Sequence, residues 1–355
     1  MTRTTVAAIL LSSIATAANA QSARLFTDWH AACDNLRSCA ALGMGPGEAE
    51  TFGFIDVRRG GAANAEVQVS IAFTFETELQ EVPLEISFDP PGGEGVFPRN
   101  AQAEIGRDGL LRLDLPKENS TQFIAALRRA EFLRVRRLDD APKEQASTVI
   151  SLKGAAAALR WIDEQQQRTG TANALVARGD RSPASVPSPP QQPVITRSPF
   201  QAQQIEGKAP PDVASMRKAA CPDLGDEADG EEIGYQITPD TILWQMPCGR
   251  GAYNFSTVYF AQARSGAPRR IQFEKPENGK LVRSVTEIIN GEFIEDDRSI
   301  FFFAKGRGLG DCGARGAYVW DGRAFMLTNW QEMTTCRGAP LDLWPTLWRA
   351  EARGR

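Results

Sequence analysis

The chain has almost no histidine: His30 is the only one among 355 residues. A Ser-His-Asp or Cys-His site would have to use this one imidazole, and no G-x-S-x-G elbow accompanies it. A zinc site is disfavoured on similar grounds, because the chain also lacks any C-x-x-C pair. We therefore interpret His30 as an ordinary histidine beside Trp29, and we expect no metal site and no enzymatic activity.

Long apolar runs are also missing from the chain after its first twenty residues. No stretch there reaches the roughly 18 consecutive apolar residues that a transmembrane helix needs. Residues 6–15 form a short apolar run after Arg3, and Ala18-Asn19-Ala20 is a small-x-small cleavage site. This pattern predicts a signal peptide over residues 1–20, cleaved near Ala20-Gln21. We expect a periplasmic or secreted protein with no transmembrane segment in the mature chain.

The chain lacks the Walker sequence G-x-x-x-x-G-K-[ST], but it contains G-x-G-x-x-G as Gly308, Gly310 and Gly313. A dinucleotide-binding fingerprint needs a strand before it and a helix that begins at its third glycine. The segment SIFFFA predicts the strand, whereas Gly316 and the Asp321-Gly322 turn leave no room for the helix. We therefore predict a tight glycine-rich loop around a half-cystine, and no cofactor.

Positive charge is not in excess, since 40 Lys and Arg residues face 44 Asp and Glu residues. Such a chain lacks the broad positive field that nucleic-acid binding uses. The one basic cluster, residues 128–137, alternates in its second half with Leu133 and Val135, as the solvent face of a strand does. We expect no nucleic-acid partner.

Cysteines are present in an even number, which predicts disulfides in an exported chain. The six are Cys33, Cys39, Cys221, Cys248, Cys312 and Cys336. If each half of the chain folds alone, Cys33 must pair with Cys39. The other four allow three pairings, and we favour those that join neighbours along the chain: Cys221 with Cys248, and Cys312 with Cys336.

Composition predicts a mainly β protein of two domains. Residues 171–218 are rich in proline, serine and glutamine, which predicts an extended linker. Before it, alternation with a period of two predicts strands over residues 66–73, 82–89, 109–115 and 132–139, and apolar stripes predict helices over residues 121–131 and 154–167. Together they predict an antiparallel β-sandwich with one or two packed helices over residues 21–170. After it, strand-like segments and Asn-Gly and Asp-Gly turns predict an antiparallel β-meander, stapled by disulfides, over residues 219–355.

Aromatic residues and the glycine-rich loop suggest where a ligand binds. Trp320 and Trp330, if exposed, could stack on sugars or peptides, and core packing is the alternative. Arg307 and Leu309 lie on the glycine-rich loop, residues 305–316, which would be an exposed probe. These four residues are the candidate binding surface.

Four segments resemble the exported six-cysteine bacterial proteins of the domain of unknown function 1176 family. They are FTDWHAACDNLRSCAALG (26–43), LWQMPCGRGAYNFS (243–256), KGRGLGDCGARGAYVWDGRAF (305–325) and CRGAPLDLWPTLWRA (336–350). The first half also resembles, more weakly, the invasion-associated locus B family, through residues 29–33 and 150–162. That resemblance implies a small periplasmic β-sandwich without known catalytic residues.

Three functional hypotheses follow from these observations. The first is a non-catalytic periplasmic module for binding or envelope maintenance, whose partner is an envelope protein or a cell-wall fragment. The second is an inhibitor or adaptor of another envelope protein, such as a cell-wall hydrolase, with the glycine-rich loop as its probe. The third is a hydrolase that uses His30 or a pair of acidic residues.

Overall fold

The computed structural model of the protein describes residues 23–45, 51–75, 83–93, 95–98, 101–106, 108–139, 147–222 and 230–354. The predicted signal peptide, residues 1–20, lies outside them. The described chain is mainly β, as predicted, with several antiparallel sheets and three α-helices. Within these residues, every helix is too short or too polar to cross a membrane.

Ten strands form the first half of the molecule. They are β1 (Ala23–Phe26), β2 (Trp29–Cys33), β3 (Cys39–Met44), β4 (Gly53–Arg59), β5 (Val67–Phe73), β6 (Leu84–Asp89), β7 (Glu104–Ile105), β8 (Leu111–Asp114), β9 (Phe132–Arg137) and β10 (Ser147–Ser151). Seven of them make one sheet in the order β1-β2-β3-β4-β5-β8-β7, and three make a second in the order β10-β9-β6. One buried apolar cluster joins the two sheets, so the predicted packing of antiparallel sheets is present.

Two helices complete this core where the amphipathic patterns predicted them. Helix α1 (Lys117–Leu127) follows Pro116, and its Phe123 and Leu127 are buried on one face. Helix α2 (Ala155–Gln165) begins after Gly154, which has a left-handed φ of 101°. A Cβ at Gly154 would lie 1.9 Å from the carbonyl oxygen of Phe26. Only glycine therefore fits where α2 approaches the first strand.

The described residues of the second half contain fifteen strands and one α-helix. They are β11 (Val194–Thr196), β12 (Gln203–Ile205), α3 (Pro211–Ala220), β13 (Ile233–Thr238), β14 (Thr241–Arg250), β15 (Phe255–Ala263), β16 (Arg269–Arg270), β17 (Phe273–Glu277), β18 (Lys280–Val285), β19 (Ile288–Ile289), β20 (Glu292–Ile294), β21 (Ser299–Lys305), β22 (Gly313–Trp320), β23 (Phe325–Met333), β24 (Thr346–Arg349) and β25 (Glu351–Arg353). Strands β20 to β24 are paired in sequence order, which is the predicted antiparallel meander. Strands β12 to β16 make a second antiparallel sheet, to which β19 is also paired.

The Asp-Gly and Asn-Gly turn predictions are confirmed at two hairpins. Asp321-Gly322 joins β22 to β23, with Gly322 at a φ of 99°. Asn278-Gly279 joins β17 to β18, with both residues at positive φ. Short connections of this kind match the right-handed twist of the strands that they join.

All three favoured disulfides are present. They join Cys33 to Cys39, Cys221 to Cys248, and Cys312 to Cys336. The first closes the β2–β3 connection, the second ties the end of α3 to β14, and the third ties the β21–β22 loop to the segment after β23. Each bond therefore fixes a connection that secondary structure alone leaves loose.

The segment 171–218 is packed rather than an extended linker of low burial, so that prediction was wrong. Strand β11 pairs in parallel with β25, β12 pairs with β13, and Val213 of α3 is fully buried. The prediction failed because it counted only apolar surface. Strand pairing and hydrogen bonds to buried polar side chains also order a segment, and neither depends on its own apolar content.

Asp163 of α2 supplies one such set of hydrogen bonds at the start of this segment. Its carboxylate oxygens accept the backbone N–H groups of three consecutive residues, Leu175, Val176 and Ala177, at 2.7, 2.8 and 3.0 Å. Gln166 and Arg168 are also fully buried and donate to backbone carbonyls of residues 59–63. The bonds of Asp163 thereby join the segment to the first half, and those of Gln166 and Arg168 fix the chain just before the segment.

The two halves share a buried surface across the predicted domain boundary. Leu42, Met44, Phe54 and Ala72 on one face of the seven-stranded sheet belong to the same apolar cluster as Met333 and Trp344. Polar contacts surround this cluster: Arg337 donates to Asp28 at 2.6 Å, and Asn35 exchanges two hydrogen bonds with the backbone of Arg349. The structure therefore does not divide clearly into two independent domains.

Candidate functional site

The glycine-rich stretch is a loop between two strands. Strand β21 ends at Lys305 and strand β22 begins at Gly313, so no helix follows the third glycine. Gly310 and Gly313 have φ values of 69° and 128°. A Cβ at Gly313 would lie 2.0 Å from the carbonyl oxygen of Ala304. The predicted tight loop is present over residues 306–312, whereas residues 313–316 of the predicted loop belong to β22.

This loop is held by one covalent and several polar contacts to the chain after β23. Besides the Cys312–Cys336 bond, Asp311 accepts two hydrogen bonds from Arg307, at 2.7 and 2.5 Å, and one from the Gly338 N–H at 2.6 Å. Burial opposes ionisation of Asp311, but these hydrogen bonds outweigh it, and the net effect lowers the pKa of Asp311. The disulfide and these hydrogen bonds therefore hold the loop and residues 336–342 in a fixed position relative to each other.

A second set of contacts holds the loop from the side of the β14–β15 connection. Asn254 donates to the carbonyl of Lys305 at 2.8 Å and accepts from its N–H at 3.1 Å. Asn290 donates to the carbonyl of Phe303 at 2.8 Å and to the Asn254 side chain at 2.9 Å. Because both flanks are fixed, the loop does not depend on a ligand for its shape.

A cleft of about 780 Å³ lies between this loop, residues 338–342 and the β7–β8 turn. Its apolar lining consists of Phe303, Leu309, Ala339, Pro340 and Leu341. Phe303 is fixed from behind by an edge-on contact with Trp344, at 5.8 Å between ring centroids. The volume falls in the range of ordinary ligand pockets.

Charged side chains at the rim of the cleft pair with one another. Arg112 of β8 bonds both Asp108 and Asp342 at 2.5 Å, and so it links the first half to the second. The ammonium of Lys305 lies 5.7 Å from the centroid of the Phe303 ring, within cation–π range. The cleft therefore presents an apolar surface bordered by charges that are largely engaged already.

The four residues of the candidate binding surface separate into two groups. Leu309 is 77 % exposed, the highest value of any large apolar residue that the structure describes, and Arg307 lies beside it on the loop. Trp320 and Trp330 are only 2 % and 8 % exposed, so their proposed stacking role is wrong. Both face the core of the meander, where Trp320 packs on Phe325. Their burial is the outcome that the core-packing alternative predicted.

His30 is placed inside the molecule and does not line the cleft. It lies in β2, directly between Leu25 of β1 and Leu42 of β3. It is 1 % exposed, its Nδ1 has no hydrogen-bond partner among the described residues, and burial lowers its pKa to about 4. The imidazole is therefore neutral and enclosed at neutral pH, as expected for an ordinary buried histidine.

Sequence reasoning missed a polar groove of about 450 Å³ on the seven-stranded sheet. Strand register places Asp56, Ser70 and Asp114 side by side on three adjacent strands, with Arg58 next to them. No local motif marks these residues, because they are far apart in the chain and only the register joins them. Over the described residues, no group of three or more His, Cys, Asp or Glu side chains is suited to hold a metal ion.

The class of protein is now defined: a mainly β, three-disulfide protein whose two halves join at a loop-built cleft. The chain belongs to the family described as "Protein of unknown function (DUF1176)", which matches residues 23–351. It is 28% identical over 359 residues to "Uncharacterized protein YpfG" of Escherichia coli (strain K12), covering 96% of each chain. No solved structure matches. The resemblance of the first half to the invasion-associated locus B family is not shown by these comparisons.

Proposed function

We propose that the protein is an exported, non-catalytic binding protein that takes an apolar peptide segment of an envelope protein into the loop-built cleft. The observation that carries the proposal is that Leu309 is highly exposed although its loop is held in place on both sides. This residue stands out from the surface on a loop that a disulfide, an ion pair and side-chain hydrogen bonds hold in place. An apolar side chain held in this way has little conformational entropy to lose on binding.

The lining of the cleft favours an apolar ligand over a charged one. Phe303, Leu309 and Leu341 supply its apolar surface. Arg112 is already bonded to two aspartates, and Arg307 is bonded to Asp311. A polyanionic ligand would have to break these ion pairs, whereas an apolar segment gains from leaving water and leaves them intact.

Export is supported by the three disulfides, which persist in oxidising compartments such as the periplasm. The signal-like residues 1–20 point the same way. A non-catalytic role is supported by the position of His30, which is enclosed between strands and neutral at neutral pH. Within this proposal, the protein acts in the cell envelope or outside the cell.

The test is crosslinking from the cleft in periplasmic extract. A photoreactive residue replaces Leu341 at the cleft wall, and the bound segment is identified by mass spectrometry. We expect crosslinks to one apolar segment, abolished by Leu309→Asp and retained by Val282→Asp. Val282 is the matched control, since it is an exposed apolar residue of β18 that does not line the cleft. Equal crosslinking in both variants would reject the cleft as the binding site.

A second candidate is an inhibitor or adaptor that inserts Leu309 into a groove of its partner, such as a cell-wall hydrolase. The high exposure of Leu309 favours it, because an inserted probe must project from its own surface. Leu341→Asp separates the two candidates. It should abolish capture if the ligand enters this cleft, and it should spare capture if only the loop enters the partner.

A further inference from the structure

The outer face of the seven-stranded sheet is only partly covered by the second half. Its apolar part, formed by Leu42, Phe54 and Ala72, packs against Trp344 and its neighbours. Its polar part, on the next residues of the same strands, stays uncovered and forms the groove of about 450 Å³. This groove is separate from the loop-built cleft and shares no lining residue with it.

Asp56 at this groove has a carboxylate oxygen that no group of the described residues satisfies. The residue is 6 % exposed, and its Oδ2 accepts a hydrogen bond from Nε of Arg58 at 2.6 Å. Its Oδ1 is buried and has no hydrogen-bond partner among the described residues. Buried polar atoms nearly always have a partner. The side chain that carries this orphan oxygen lines the groove, which makes a molecule bound there one source of the missing donor.

The surroundings of Asp56 favour a neutral donor over a cation. Arg58 is itself fixed, because its Nη2 donates to the carbonyl of Asp342 at 2.9 Å while its Nε holds Asp56. The guanidinium therefore already lies against the carboxylate, and a second cation beside it would be repelled by Arg58. A hydroxyl group supplies a proton to Oδ1 without adding charge.

Neighbouring side chains supply both donors and acceptors in a row. Asp56, Ser70 and Asp114 lie opposite one another on adjacent strands, and Gln68 lies opposite Arg58. Adjacent strands are about 4.8 Å apart, a spacing comparable to the width of a sugar ring. Hydroxyl groups both donate and accept, so a ring that carries several of them can bond to such a mixed row at once.

From this arrangement we infer that the groove at Asp56 binds a neutral sugar unit, whose hydroxyl groups donate to Asp56 and Asp114 and pair with Ser70 and Arg58. The site relies on hydrogen bonds, since no aromatic side chain of the described residues lines it. It is independent of the peptide cleft, and either site can fail without the other.

The experiment is isothermal titration calorimetry of the oxidised full-length protein with chitobiose, maltose and, as a cationic probe, spermidine. We expect saturable binding of at least one disaccharide and none of spermidine. Ser70→Ala and Asp114→Asn should each weaken that binding roughly tenfold, equivalent to about 1.4 kcal/mol. Both side chains are at least partly exposed, so these variants should fold even where Asp56→Asn does not.

Asp240→Asn is the matched control, because Asp240 is an exposed acid outside the groove. It should bind as the unmodified protein does. Amide chemical shifts should change at Gln68, Ser70 and Asp114 when the disaccharide binds. The inference is overturned if neither disaccharide binds, if spermidine binds instead, or if Ser70→Ala and Asp114→Asn bind with unchanged affinity.

Discussion

At the residue scale, single side chains are set by their immediate surroundings. His30 is neutral at neutral pH because its burial in β2 lowers the pKa of the imidazole. Asp311 is ionised because its hydrogen bonds outweigh its burial. The sequence identified only His30 as a point of interest, and only the contacts of each residue decide which protonation state it adopts.

His30 should make the protein less stable in mild acid. The pKa of His30 is about 4 in the folded protein and 6.5 in the unfolded chain. Between these two pH values, therefore, only the unfolded chain takes up the proton. Stability is therefore complete above pH 6.5 and falls as the pH drops towards 4, by roughly 3 kcal/mol. Urea unfolding across this range should show a positive slope of stability with pH.

The variant His30→Gln isolates this effect, since it should lose the slope that His30 contributes. Burial raises the pKa of Asp34 and of Asp56, so those two groups contribute the opposite slope, and the difference between the two proteins removes them. Because His30 is the only histidine, its proton resonance is unambiguous. A titration midpoint near 6.5 in the folded protein would contradict the prediction.

Gly313 should not tolerate alanine. Its φ of 128° is unfavourable for any other residue, and a Cβ would collide with the backbone of Ala304. We expect Gly313→Ala to destabilise the oxidised protein by more than about 1 kcal/mol, measured by denaturant unfolding. Gly308→Ala is the control, because the nearest atom to its Cβ is 3.6 Å away on Tyr253. Equal losses in the two variants would show that the loop backbone is not constrained.

At the element scale, hydrophobic periodicity predicted the helices and strands that have one solvent-exposed face and one buried face. Helices α1 and α2 and strands β5, β6, β8 and β9 lie where periodicity placed them. Strands β2, β3 and β4 gave no alternation because they are buried on both faces, between the core of the first half and the second half. Helix α3 was missed because it lies in a segment that composition assigned to a linker.

Asp163 should determine whether the start of that segment stays ordered. Asp163→Asn replaces one acceptor oxygen by a donor and so leaves buried backbone N–H groups unbonded. We expect a loss of about 2–4 kcal/mol and faster hydrogen exchange at residues 175–177. Glu164→Gln is the control, since Glu164 is exposed and forms only an ion pair with Arg160. It should cost less than about 0.5 kcal/mol, and unchanged exchange at 175–177 in Asp163→Asn would count against the prediction.

At the scale of the whole molecule, the halves are joined by a shared core and by ionic links. Trp344 is fully buried and donates to the carbonyl of Ala339 at 3.0 Å within the cluster that also contains Leu42 and Phe54. Arg112 and Arg337 pair with aspartates of the opposite half. The cleft exists only because these contacts bring the β7–β8 turn against residues 338–342.

The protein should therefore unfold in one cooperative transition. Fluorescence and far-ultraviolet circular dichroism should give coincident midpoints in guanidinium. Trp344→Ala should lower the free energy of unfolding by about 3–5 kcal/mol. The midpoint should shift to a lower guanidinium concentration and the two signals should stay coincident, since the lost contacts serve both halves. Two separate transitions in the unmodified protein would show that the halves are stable alone, as the predicted linker implied.

The sequence by itself determined the features that depend on local pattern and compartment. These are the mainly β class, helices α1 and α2, the Asp321-Gly322 hairpin and the loop nature of residues 306–312, together with the disulfide pairing that the sequence favoured among three. The physical reason is that each rests on short-range chemistry: periodicity, left-handed turn residues, and cysteines close in the chain. The same reasoning excluded a helix after Gly313.

Only the tertiary structure decided which residues meet at the surface. Strand register brought Asp56 beside Ser70 and Asp114, and the packing of the halves brought Arg112 to Asp342. The same packing turned Trp320 and Trp330 inward while leaving Leu309 exposed. These outcomes depend on contacts between residues far apart in the chain, and no local pattern encodes which distant partner a side chain will find.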